Sequence, residues 1–131
     1  MRRHLVIQGP LRSWGHSGAS RGTSWEVVDH DCRPGIAHLV AEHGHLFDRI
    51  VVSTWSDAVG TSGELGGAKI VRTDPADAPP LHRRVTSERP TGIDNLFRIY
   101  LSMRAGLDAL DAAPDDTVIR IRTDQQPVMP A

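Results

Sequence analysis

Four groups of residues in this chain have types and spacings suited to holding a nucleotide: Gln8-Gly9-Pro10, Thr54-Trp55-Ser56, Asn95 with Arg98, and Arg122 with Asp124. Gln8 offers an amide, and Gly9 lets backbone come close to a base or ribose, although a plain turn would use the same residues. Trp55 either stacks on a planar ring, with Thr54 and Ser56 as hydroxyl partners, or covers a sheet edge as a core aromatic. Asn95 and Arg98, three residues apart, share a helix face near the expected helix start. An arginine there is costly without an anion, so either a diphosphate or local pairing with Asp94 or Glu88 accounts for it.

Strand alternation places Val118, Arg120, Arg122 and Asp124 on one face of the last strand and Ile119, Ile121 and Thr123 on the other. Two arginines leading to a carboxylate form either a solvated face or a cationic wall ending in a metal ligand. Magnesium needs only one or two protein carboxylates when phosphate oxygens complete its shell, so Asp124 alone would suffice. His43-Gly44-His45 lacks further ligands at zinc spacing, and no Gly-x-Ser-x-Gly elbow occurs.

Each group needs an element to carry it. Apolar runs at His4 to Ile7, Ile50 to Val52, Lys69 to Val71 and Val118 to Ile121 read as strands ending in polar tips. Ile36, Leu39, Val40 and His43 recur at helical spacing, with Pro34 in the first turn and Gly44 placed for a left-handed cap. A second helix is expected from Asn95 to Ala112, capped by Asp94. Its apolar stripe of Leu96, Ile99, Tyr100, Met103, Leu107 and Leu110 should face the core. The segments Leu11 to Asp31 and Ala76 to Asp94, rich in Gly, Ser and Pro, read as long loops. The order strand, helix, strand, strand, helix, strand implies an α/β fold: a Rossmann-like, largely parallel sheet with flanking helices, in one domain over residues 1–131. Ligands of such sheets sit beyond the carboxyl ends of the strands, where all four tips would gather.

Composition narrows the classes. A net charge of −1 over 131 residues argues against a nucleic-acid surface, which needs clustered cations. Its basic residues are arginine apart from Lys69, a skew that GC-rich coding also produces. Cys32 is the only cysteine, so no internal disulfide forms, which fits a cytoplasmic setting. No run reaches the length of a transmembrane segment or signal-peptide core, so work at a membrane would be peripheral, at its inner face.

Several segments, in this order, resemble the N-terminal half of the WavE lipopolysaccharide-synthesis family of GT-A-like glycosyltransferases. They are Val6-Ile7-Gln8-Gly9-Pro10, Phe47-Asp48 leading into Val52-Ser53-Thr54-Trp55, and Thr73-Asp74-Pro75. Asn95-x-x-Arg98-x-x-x-Ser102 with Ala105-Gly106-Leu107 follows, then Arg120-x-Arg122-Thr123-Asp124. The resemblance implies a nucleotide-sugar donor, a saccharide or lipid-linked acceptor, and a magnesium or manganese ion on Asp124, acting in cell-surface polysaccharide synthesis. The nucleotide would lie near Gln8 and Thr54-Trp55, and Arg98 or Arg122 would stabilise the diphosphate leaving group.

Asp124 is followed by Gln125-Gln126, so no Asp-x-Asp pattern is present, and the residues to Ala131 supply no acceptor-binding half. The expectation is therefore a donor-binding half, truncated relative to a full glycosyltransferase. The alternative is a non-catalytic nucleotide-binding or protein-interaction module derived from such an enzyme. Its protein partner would be a missing second half or another copy of the chain, joined in a homo-oligomer.

Overall fold

The structure is a computed structural model that describes residues 1–17, 26–74 and 90–123, with backbone alone for 13–17, 26–29 and 90–98. In chain order its elements are β1 (Arg3–Gln8), β2 (Arg12–Ser17), β3 (Glu26–Asp31), α1 (Arg33–His43), β4 (Arg49–Trp55), β5 (Lys69–Thr73), α2 (Pro90–Leu110) and β6 (Thr117–Arg122). Short 3-10 turns, Gly44–Leu46 and Gly63–Leu65, precede β4 and β5.

All pairings in the main sheet are parallel, in the order β5-β4-β1-β6. This is the α/β, Rossmann-like layer expected from the alternation of strands and helices. β1 is central because Leu5, Val6 and Ile7 are apolar on both faces, as a strand covered on both sides requires. Leu5, Ile7, Val52 and Ile121 pack with Ile36 and Leu39 of α1 on one face. Val6 and Val51 pack with Leu110 of α2 on the other. The chain leaves β1 toward β4 and β5, then returns to the opposite side of β1 as β6, so the strand order reverses between β1 and β6.

α1 begins where Asp31 accepts the Arg33 backbone N–H at 3.1 Å and both ends of the Arg33 guanidinium at 2.9 Å. Arg33 also reaches Glu64 at 3.2 Å, tying the end of β3 to the β4–β5 connection. The Arg33 hydrogen bonds hold the Asp31 carboxyl at a pKa of about 2. Gly44 does not make the expected left-handed cap. At φ −58° it carries the chain on into a 3-10 turn, closed by Phe47 N–H donating to Gly44 O.

Three other expectations are corrected. Leu11 to Asp31 is not simply a loop: Arg12–Ser17 and Glu26–Asp31 form an antiparallel hairpin. Trp14, Val27 and Val28 favour strands, and the glycines and serines nearby masked that preference. α2 starts at Pro90, where a first turn tolerates proline, so Asp94 lies inside the helix and is not its N-cap. Residues 76–89 of the second expected loop, Ala76 to Asp94, lie outside the described residues, and 90–94 fall in α2.

The third correction concerns which face of α2 is buried. Ile99, Tyr100 and Leu107 are exposed, whereas Ser102, Gly106 and Leu110 lie against the sheet. A Cβ on Gly106 would come within 3.0 Å of Val6 Cγ1 and 3.2 Å of Ser53 Cβ. The helix is seated by small and polar residues at i, i+4 spacing, which let it lie close enough for hydrogen bonds to the strands. No helix among the described residues is long and apolar enough to cross a membrane.

Candidate functional site

Because the four strands run parallel, their carboxyl ends share one edge. Gln8 aligns with Ser53 on one side and Arg122 on the other, while Trp55 aligns with Thr73. In open α/β sheets ligands bind beyond the carboxyl ends of the strands where the strand order reverses, which in this sheet is between β1 and β6. The topology thus brings together Gln8, Gly9, Pro10, Thr54, Trp55, Ser56 and Arg122.

Gln8 is 2% exposed, and its amide is engaged inside the protein. Nε2 donates to Ile99 O and Ser102 Oγ, each at 2.5 Å, and Oε1 accepts from Arg120 Nε at 2.6 Å. Ser53 Oγ, also buried, donates to Ser102 O at 2.5 Å. The tip of β1 is thereby locked to α2 on one side and β6 on the other. Gly9 has φ +138°, a conformation that favours glycine. Its close neighbour is Thr123, whose Oγ1 would lie 2.7 Å from an added Cβ. Thr123 also donates its N–H to Gln8 O at 3.0 Å and its hydroxyl to Pro10 O at 2.7 Å, strapping the end of β6 across the turn.

The β4 tip is arranged differently. Thr54 is fully buried, and its Oγ1 has no hydrogen-bond partner among the described residues. Trp55 is half-buried and Ser56 exposed, the latter's N–H held by Thr73 O at 2.9 Å. Arg72 fastens the loop beyond them, donating to Ala58 O and Gly60 O. Charge separates along the edge: Arg120 and Arg122 are exposed on β6, and Asp57 and Asp74 are exposed near the tips of β4 and β5.

Asn95 and Arg98 lie within α2, past its first turn, so its N-terminal partial charge does not act on Arg98 as expected. Asp124 lies outside the described residues. Among the described residues no group of three or more His, Cys, Asp or Glu could hold a metal ion.

No family model, curated protein or solved structure matches this chain. Strand order and the residues at the edge carry the argument instead. A cavity of about 400 Å³ opens at the opposite, amino edge, lined by Arg49, Ile50, Val51, Gly67, Lys69 and Ala109. It touches none of the strand tips, and Arg49 is engaged there with Leu110 O at the end of α2.

Sequence reasoning named Thr123, Ser53 and Ser102 within its motifs but gave none of them a role, and these three organise the β1 tip. The signal for Ser102 was its spacing of four from Gly106, the mark of a helix lying close on its neighbour. It also passed over the buried His4–Asp116 contact at the amino edge, with Nε2 2.9 Å from Oδ2. That contact, followed by the N–H groups of Ala113 and Arg2, holds the Asp116 carboxyl well below the usual range.

Proposed function

We propose that this chain is the donor-binding part of a glycosyltransferase, taking a nucleotide-sugar at the carboxyl edge of its sheet for cell-surface polysaccharide synthesis. The observation that carries the reading is the reversal of strand order between β1 and β6, with Arg120 and Arg122 lining β6 beside it. Departure of a nucleoside diphosphate develops negative charge, and fixed cations beside it stabilise that charge as it forms. Trp55 and Ser56, which remain accessible at the adjoining tip, supply a surface for the base.

Gln8 enters this reading as a support. Its locked amide sets the position of Arg120 and the path of Gly9-Pro10, while the ligand meets the outer residues. A divalent ion, magnesium or manganese, would be held by Asp124 and would supply charge neutralisation at the diphosphate. A second reading, a nucleotide-binding module without catalysis, draws support from the internal engagement of Gln8. Both give the chain the same ligand and differ in turnover.

The test is thermal stabilisation by UDP-, GDP- and CMP-sugars with and without magnesium or manganese. The donor-binding reading expects a shift with metal, removed by Asp124→Ala. A shift that persists without metal and without sugar turnover favours the second reading. No shift with any nucleotide refutes both.

A further inference from the structure

The cavity at the amino edge joins two cations to an apolar wall, and the nucleotide reading uses neither. Val51 aligns with Lys69 in the β4–β5 pairing, and strand alternation puts Arg49 on the same face of the sheet. This is the face that α2 covers, since Val51 packs with Leu110. Ala109 comes from the last turn of that helix, and Ile50 and Gly67 complete the lining of a space of about 400 Å³. Such a volume lies within the range of small-molecule sites. The backbone at Gly67, φ +87°, favours glycine, so this wall carries no side chain, and a Cβ there would meet nothing within 4 Å. Arg49 and Lys69 are the charged residues of the lining, which includes no carboxylate.

The guanidinium of Arg49 points to the kind of ligand. Its Nη1 donates to Leu110 O, which fixes the group at the end of α2 and offsets the partial negative charge there. Among the described residues its Nε and Nη2 make no hydrogen bond. These two nitrogens form a planar fork that matches the two oxygens of a carboxylate. The same fork of Arg33 holds Asp31 in this chain, Nε on Oδ1 and Nη2 on Oδ2, each at 2.9 Å. Lys69, the only lysine of the chain, has no ion pair among the described residues.

We propose that this cavity binds a small organic carboxylate, with its two oxygens on the Nε–Nη2 fork of Arg49, its charge shared with Lys69, and its hydrocarbon body against Ile50, Val51 and Ala109. Exposed cations alone hold an anion weakly, because water and salt screen them. The hydrocarbon body supplies the rest, each buried methylene strengthening binding about fourfold. The site lies at the opposite edge from the strand tips, so the inference does not rest on the nucleotide reading.

The experiment is an NMR titration of the full chain with hexanoate, hexanol, acetate and inorganic phosphate, without nucleotide, on wild type, Lys69→Gln and Arg49→Lys. Hexanoate should bind wild type saturably and shift the amides of Val51, Gly67 and Ala109 while leaving those of Gly9 and Ser56 in place. Hexanol lacks the charge and acetate the body, so each should bind about tenfold more weakly or worse. Lys69→Gln, at an exposed position, should keep the wild-type melting temperature and weaken hexanoate binding about three- to fivefold. Arg49→Lys keeps a positive charge and a donor for Leu110 O but lacks the fork, and should weaken binding further. Hexanoate that does not saturate, hexanol that binds as well, phosphate that binds as tightly at the same amides, or variants that both bind hexanoate like wild type would each overturn the proposal.

Discussion

Replacing Gln8 with leucine separates a supporting role from a ligand-reading one. The substitution keeps approximate volume and removes the contacts to Ile99 O, Ser102 Oγ and Arg120 Nε. The losses are not equal. Ile99 O keeps a hydrogen bond from Ser102 Oγ at 3.2 Å, and exposed Arg120 regains water, so neither partner is left buried and unsatisfied. With each net contribution near 1 kcal/mol and these compensations, the expected cost is about 2 kcal/mol. At roughly 3–5 °C per kcal/mol for a domain of this size, Gln8→Leu should melt some 6–10 °C lower. Urea titration should show a lower midpoint with an unchanged slope. An unchanged melting temperature combined with lost nucleotide binding would refute the support role and make Gln8 a direct ligand contact.

Gly9→Ala should cost about 1–3 kcal/mol, because φ +138° is strained for any side chain and the new Cβ meets Thr123 Oγ1. Adding Thr123→Ala should recover only part of the loss in a denaturation series, since the backbone strain stays; full recovery would show that the contact alone mattered. Asp116, depressed chiefly by His4, contributes stability that is present above the unfolded carboxyl pKa of about 3.9 and is lost as pH falls below it. Urea midpoints measured from pH 6 downward should therefore fall more steeply for wild type than for Asp116→Asn.

The strands, both helices and the shared polar edge were legible because apolar runs and helical spacing are local signals. The hairpin was not, because Gly and Ser around Trp14 and Val27 outweighed the strand-forming residues in the count. The buried face of α2 was misread for a physical reason: hydrophobic spacing identifies Ile99, Tyr100 and Leu107, yet close approach to Val6 and Ser53 demands Gly106 and Ser102. At the site, the residue types at Gln8 and Gly9 were noticed and their use was not. Only tertiary structure reveals that Ile99, Ser102, Arg120 and Thr123 surround them.

The straps between Gln8 and Arg120 and between Pro10 and Thr123 join positions more than a hundred residues apart. During synthesis β1 must wait, one flank bare, until β6 emerges. Non-local pairing of this kind slows folding and leaves the nascent intermediate open to aggregation. A ribosome-bound chain ending before Thr117 would therefore hold an unfinished centre, and protease resistance should arise late and all at once.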